Sequence, residues 1–211
     1  MTDNFKEFRP FMQLPEEKGG DKYYVIELVR RGKDRPDLPA ANCHFKNYYI
    51  DSLKKYDQVQ HEIRTVCRSL GLRAYVSVNW KSFRQVTMNT IAEMSRRAAL
   101  NDFRRPYAIF ESCSGKFVNK NDKHWVVDMD DCSIDQEGPE TPIWKRFAEE
   151  INLVEPKGDK IELVLPTRSG VHLITKPFDE GNVLWTWTID RGQEKDPDIK
   201  KNHLTLLFED L

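Results

Sequence analysis

The chain lacks the features that identify several common protein classes. No run in its 211 residues approaches the ~18 apolar residues that a membrane-spanning helix requires. Its four cysteines are scattered without a Cys-x-x-Cys pair, so a structural zinc site of the ribbon or knuckle type is not expected. The phosphate loop of many ATPases, Gly-x-x-x-x-Gly-Lys-Ser/Thr, is absent as well. The start of the chain shows no basic segment followed by an apolar core, and we therefore expect an intracellular protein.

The chain also lacks a large net charge of either sign. It carries 33 Lys and Arg residues against 34 Asp and Glu residues, for a formal net charge of −1. The surface as a whole therefore does not attract nucleic acid in the way a strongly basic protein does. Charge is instead clustered, with basic groups at 30–35, 96–97, 104–105 and 200–201 and acidic groups at 128–140 and 149–155. Separate basic surfaces beside an acidic cluster are compatible with binding a phosphate backbone.

The hydrophobic periodicity of the chain and the positions of its turn and capping residues predict an α+β protein with two lobes. Residues 1–21 read as an irregular leader, 22–100 as an N-terminal α+β lobe, 101–122 as a connection and 123–211 as a second lobe. In the first lobe we predict strands over 22–30, 44–50 and 72–79, one helix capped by Asp51 or Ser52 that stops at Gly71, and a second helix from Ser82 to about Leu100. In the second we predict strands over 124–130, 160–166, 171–175, 183–189 and 203–208 and a helix over 141–151.

One segment of the second lobe places two carboxylates on the same side of a strand. In His-Trp-Val-Val-Asp-Met-Asp-Asp (124–131), apolar and acidic residues alternate, so Asp128 and Asp130 point the same way one pleat apart. Two such carboxylates repel each other unless a cation sits between them. Hard divalent ions such as Mg²⁺ take oxygen ligands of this kind. The segment therefore predicts a divalent metal site.

A second segment predicts a site for a polyphosphate. In 165–179, Ser169, Gly170 and His172 fall in and just after a tight turn between two apolar strands, flanked by Arg168 and Lys176. Hydroxyl, imidazole and positively charged donors together suit phosphate oxygens. Metal-binding acids followed by a phosphate-binding turn indicate nucleotidyl transfer.

These residues also carry a family resemblance, which covers roughly residues 120–211. Val127-Asp128-Met129-Asp130 resembles motif I of the archaeo-eukaryotic primase superfamily, and Ser169-Gly170-Val171-His172 resembles its motif II in the Ser-Gly-x-His form of phage and mobile-element primase-polymerases. The resemblance implies a two-lobed primase-polymerase-like fold whose catalytic lobe, 123–211, is RRM-like with a mainly antiparallel sheet.

The third motif of that family is one acidic residue on a later strand, and three residues of this sequence are candidates for that position. Asp198 is the first choice, Asp190 the second and Asp210 the third. Asp198 follows a proline, whereas the family has a hydrophobic residue at that position, so the identity of the third acid stays open.

The resemblance implies a DNA-dependent primase or polymerase that uses NTPs or dNTPs on a single-stranded DNA template. Asp128, Asp130 and Asp198 would hold two Mg²⁺ or Mn²⁺ ions, and the nucleotide would be bound by Arg168, Ser169, Gly170, His172 and Lys176. Any unwinding would fall to a separate helicase. The expected compartment is the cytoplasm, that of a bacterial host if the chain is phage-encoded.

Two other functions are compatible with the same residues. Acid clusters on strands also serve metal-dependent nucleases and other phosphodiesterases, although a hydrolase has less need of a triphosphate site. A non-catalytic nucleic-acid-binding protein could carry the same scaffold with its acids solvated. Metal-dependent triphosphate binding and triphosphate-dependent extension separate the three.

Overall fold

The computed structural model describes residues 1–34, 42–117, 119, 122–130, 132, 142–183 and 197–210. The strand predicted over 183–189 lies outside these residues except for Val183, and so does Asp190, the second choice for the third acid.

The described residues form an α+β protein built on two antiparallel sheets, as the sequence predicts. The strands are β1 (Thr2–Asp3), β2 (Lys22–Arg30), β3 (Cys43–Ile50), β4 (Arg73–Ser77), β5 (Lys81–Ser82), β6 (Trp125–Asp130), β7 (Ile161–Pro166), β8 (Gly170–Thr175), β9 (Asp198–Lys201) and β10 (Leu204–Glu209). The helices are α1 (Phe5–Phe8), α2 (Leu53–Leu70), α3 (Phe83–Ala99), α4 (Tyr107–Lys116) and α5 (Ile143–Leu153).

The two long helices begin where the sequence predicts, because serine side chains cap them. Ser52 Oγ accepts a hydrogen bond from the Lys55 amide at 3.3 Å, and Ser82 Oγ accepts one from the Gln85 amide at 3.0 Å. Helix α2 ends at Gly71, which takes a left-handed conformation with a φ of 60°.

Two segments are more ordered than the sequence suggests. The leader contains α1, and its Phe5 and Phe8 are completely buried in the largest hydrophobic core. The connection predicted over 101–122 contains the ten-residue helix α4, whose Ser114 is buried. Neither segment has a long apolar repeat, so their packing partners decide their structure.

The first sheet has the order β1-β10-β4-β2-β3, and β5 pairs with the first two residues of β2, Lys22 and Tyr23. The sequence assigned the strand near 203–208 to the second lobe. In the structure β10 pairs antiparallel with β4 of the first sheet, and Thr205 lies opposite Val76. Strand pairing over this sequence separation depends on tertiary packing, which the local pattern does not specify.

The second sheet has the order β7-β8-β6-β9. Strands β7 and β8 form the hairpin predicted from the sequence, with Pro166 opposite Val171. Strand β9 was not predicted, because Pro197 and the charged residues around it read as a loop. It pairs with β6 along the edge of the sheet and has Asp198 at its first position.

The two faces of the second sheet have different surroundings. One face packs on α5 through residues that include Val127, Leu173 and Phe147. On the other face, Val126 and Ile174 join the large core shared with the first sheet. Since side chains alternate along a strand, Asp128 and Asp130 share the side of Val126 and face the junction of the two sheets.

No helix in the described part of the chain is long and apolar enough to cross a membrane.

Candidate active site

Asp128 is at the centre of a row of side chains that crosses the second sheet. The register places Asp128 of β6 directly opposite His172 of β8 on one side and opposite Asp198 of β9 on the other. Directly opposed residues in antiparallel strands have Cα atoms about 4.5–5.5 Å apart and side chains on the same face. The two candidate motifs and the first choice for the third acid are therefore neighbours.

The Asp128 carboxylate has a basic partner at each oxygen. His172 Nε2 lies 3.1 Å from Oδ1, and the Lys200 ammonium donates to Oδ2. Burial raises the pKa of Asp128, but the hydrogen bonds and charges of His172 and Lys200 outweigh it and hold the pKa well below its usual range. Burial lowers the pKa of Lys200, yet the Asp128 carboxylate raises it overall. This carboxylate is therefore ionised at neutral pH.

His172 is fixed between the two sheets. It is 8% exposed, and its Nδ1 shares a 2.9 Å hydrogen bond with Thr205 Oγ1 of β10. Both ring nitrogens are thus engaged, one by Thr205 and one by Asp128. The donor to phosphate that the sequence predicts at this position stays a prediction, and in the structure the imidazole lies against the Asp128 carboxylate.

Asp130 and Ser169 lie together at the open end of β6 and β8. Both are exposed, and the Ser169 hydroxyl donates to Asp130 Oδ1 at 3.4 Å. Asp130 is two residues beyond Asp128, about 6.6 Å along the strand. The turn of the second motif therefore brings a hydroxyl directly to the second acid of the first motif.

Gly170 is required by strand packing. A Cβ at this position would lie 1.8 Å from the Met129 carbonyl oxygen and 2.8 Å from its carbon. No side chain can be accommodated at such distances. A contribution of Gly170 to nucleotide binding stays a prediction, and in the structure it is the backbone of β6 that approaches this glycine.

A cleft between the two sheets opens over these residues. Its volume is about 360 Å³, within the range of ~300–1,000 Å³ common for small-ligand sites. Its lining includes Asp128, Asp130 and Lys200 of the second sheet, Arg168 of the turn between β7 and β8, and Arg31, which directly follows β2 of the first sheet. Two acids thus face a cleft that also presents guanidinium and ammonium groups.

Two residues proposed from the sequence lie elsewhere. Lys176 follows the opposite end of β8 from Gly170 and forms an ion pair with Glu162 at 3.2 Å. Asp210 follows β10 and forms an ion pair with Arg68 at 2.7 Å. Of the described candidates for the third acid, the structure brings Asp198 to Asp128, directly opposite it on the neighbouring strand.

Two residues of the site were not singled out from the sequence. Lys200 and Thr205 follow the third-acid candidate and enter the site through β9 and β10, whose pairing the sequence did not specify. Arg31, from the basic cluster at 30–35, lines the cleft just beyond the end of β2. Its sequence signal, a charged run, is shared with many solvated surfaces.

The donor atoms of the site are of the type that Mg²⁺ and Mn²⁺ prefer. Asp128, Asp130 and Asp198 supply carboxylate oxygens from adjacent positions of one sheet face. Within the described ranges, no three His, Cys, Asp or Glu side chains are arranged to hold a metal ion. Instead, the Lys200 ammonium contacts Asp128 and lies 3.6 Å from Asp198 Oδ2, so a cation already stands between these two carboxylates.

Compared with known proteins, the chain matches no family model, no curated protein and no solved structure.

Proposed function

We propose that the chain is a nucleotidyltransferase of the primase-polymerase type, with the two-lobed fold of that superfamily. It would transfer a nucleotide from an NTP or dNTP to a 3′-hydroxyl on a single-stranded DNA template. The observation that carries the proposal is that Asp128 and Asp130 line a cleft on one sheet face, with Asp198 directly opposite Asp128 on the neighbouring strand. The phosphate-binding turn suggested by the sequence borders the same cleft through Arg168 and Ser169.

The arrangement of the acids supports a functional role over a structural one. Like charges directly opposite each other on neighbouring strands destabilise a sheet. Asp128 and Asp198 are opposed in this way, and Asp128 is partly buried with 22% of its side chain exposed. Despite its burial, the charges of His172 and Lys200 offset this repulsion and hold the pKa of Asp128 well below its usual range, and strongly shifted pKa values in clefts concentrate at functional sites.

The three carboxylates would hold divalent ions, which when bound activate the attacking hydroxyl and neutralise the triphosphate. His172 would keep the Asp128 carboxylate in one orientation, since its ring is held in turn by Thr205. This support leaves the metal-facing oxygen of Asp128 in a defined position.

Arg168 and Ser169 would bind the triphosphate. The Arg168 side chain is exposed at the turn and can donate two parallel hydrogen bonds to phosphate oxygens. The Ser169 hydroxyl is close enough to Asp130 to place a phosphate oxygen beside that acid. Arg31, on the first sheet, would contact the template or the nucleotide from the opposite wall of the cleft.

A primer-synthesis and extension assay tests the proposal. It uses a single-stranded DNA template, labelled NTPs or dNTPs and Mg²⁺ or Mn²⁺, with the double variant Asp128→Asn/Asp130→Asn beside the wild type. A matched control is Asp57→Asn, an exposed acid of α2 that pairs with Arg9 away from the cleft. We expect incorporation by the wild type and the control and none by the double variant, with all three proteins folded by circular dichroism.

The same assay distinguishes the competing functions. Cleavage of the template without incorporation would favour a metal-dependent nuclease. Neither incorporation nor metal-dependent triphosphate binding by folded protein would overturn the proposal and leave a nucleic-acid-binding protein as the better description.

A further inference from the structure

Lys200 occupies an unusual position between two acids of the proposed metal site. It lies two residues after Asp198 on β9, on the same strand face, and its side chain is 26% exposed. Its ammonium contacts Asp128 Oδ2 and lies 3.6 Å from Asp198 Oδ2. One ammonium group thus lies close to two carboxylates, which belong to directly opposed residues of β6 and β9.

The two oxygens of the Asp128 carboxylate have different kinds of partner. Oδ1 is held by His172, which is itself fixed by Thr205, so this end belongs to the rigid part of the site. Oδ2 is held only by the flexible side chain of Lys200 among the described residues. The oxygen that is free to exchange its partner is therefore the one that Lys200 now occupies.

A divalent ion shared by Asp128 and Asp198 needs the oxygens that Lys200 contacts. An ammonium and a divalent metal ion that both contact Asp128 Oδ2 lie close enough to repel each other strongly, since both are cations. Loading the site with metal therefore requires the Lys200 side chain to withdraw. The displaced ammonium remains in the lining of the cleft, where a triphosphate would supply negative charge to receive it.

On the basis of the proposed function, we propose that Lys200 is a resident cation, which holds Asp128 and Asp198 together when no metal is bound. A divalent ion replaces the Lys200 ammonium when the nucleotide binds. Metal alone binds weakly, because it must displace the Lys200 ammonium from both Asp128 and Asp198. Metal together with a triphosphate binds more tightly, because the phosphates take over the ammonium. Lys200 thereby couples metal binding to nucleotide binding.

Neutral replacement of Lys200 tests this coupling, and its neighbour offers a matched control. Lys201 has the same charge, follows directly on β9 and points to the other face of the sheet, where it pairs with Glu180 at 2.6 Å. Binding of Mn²⁺ to the full chain is measured by electron paramagnetic resonance, with and without a non-hydrolysable nucleoside triphosphate. The proteins are the wild type, Lys200→Met, Lys200→Arg and Lys201→Met.

We expect Lys200→Met to bind Mn²⁺ about tenfold more tightly than the wild type without nucleotide, equivalent to about 1.4 kcal/mol. The nucleotide should then add little to its affinity. Lys200→Arg, which retains a cation, and Lys201→Met should behave as the wild type. Thermal unfolding without metal should be lowered in Lys200→Met and restored by Mn²⁺, because the opposed acids lose their resident cation.

The outcomes separate this inference from the proposed function. If the wild type binds Mn²⁺ and Lys200→Met binds it no more tightly, Lys200 is not exchanged for metal and the inference is wrong, while the metal site stands. If neither protein binds Mn²⁺ with nucleotide present, both the inference and the proposed function are wrong.

Discussion

Gly170 offers a demanding test of the strand packing beneath the candidate site. Replacing it with alanine places a Cβ 1.8 Å from the Met129 carbonyl oxygen, 2.8 Å from the Met129 carbonyl carbon and 3.0 Å from the Asp130 Cα. All three atoms belong to the backbone of β6, so no side-chain rotation can relieve the overlap. Strands β6 and β8 must separate locally for the variant to fold.

The size of the effect follows from these distances. An ordinary contact of 3.4 Å requires a displacement of about 1.6 Å, which breaks ladder hydrogen bonds at this end of the strand pair. Forced overpacking typically costs ~1–3 kcal/mol and each lost hydrogen bond ~0.5–1.5 kcal/mol, so we expect a loss of about 3 kcal/mol in the free energy of unfolding. For a domain of this size that lowers Tm by about 6–12 °C.

Thermal and urea unfolding followed by circular dichroism measure this loss. Gly115→Ala is the matched control, because a Cβ there meets nothing within 4 Å and the residue lies in α4. The control should be neutral or stabilised by up to about 1 kcal/mol. Equal unfolding free energies for Gly170→Ala and the wild type would refute the close approach of β6 to this turn.

Two further predictions concern the rest of the fold. Arg73→Met should lower the free energy of unfolding in urea by about 3–5 kcal/mol, because Arg73 is buried and holds the buried Asp34 carboxylate at 2.6 Å. Arg68→Met removes a more exposed ion pair and should cost less than about 1 kcal/mol. Similar losses in the two variants would contradict the burial of the Arg73–Asp34 pair. The Cys67 thiol is 1% exposed and burial raises its pKa to about 12, so iodoacetamide at pH 8 should label exposed Cys43 in the native protein and Cys67 only after unfolding. Rapid native labelling of Cys67, read by mass spectrometry, would contradict the packing of α2.

The elements that the sequence predicts well are those with strong local signals. The apolar stripe and serine cap of α2 define its beginning, and Gly71 defines its end. The hairpin of β7 and β8 follows from two apolar runs around a Ser-Gly turn. Strand pairing between distant segments is not predicted in this way. Strand β10 pairs with β4 in the first sheet, but the local sequence of β10 does not favour β4 over the strands of the second sheet.

The candidate site shows the same division. Alternation in β6 correctly places Asp128 and Asp130 on one face. The contact of Ser169 with Asp130 was not predicted, because it depends on the pairing of β6 with β8. Lys176 was grouped with the turn because it is near in sequence, but β8 is extended and carries it to the far end of the sheet. Lys200 was missed because its role depends on β9, a short edge strand preceded by proline.

The central claim is that Asp198 completes an acidic catalytic site with Asp128, and one measurement tests it most directly. Nucleotide incorporation on a primed single-stranded template is compared between Asp198→Asn and Asp210→Asn, two acids near the end of the chain of which only the first faces Asp128. We predict that Asp198→Asn lowers the incorporation rate by about a hundredfold or more, as loss of a group that stabilises the transition state does. Asp210→Asn should retain the wild-type rate. Full activity in Asp198→Asn, or an equal loss in both variants, would contradict the claim.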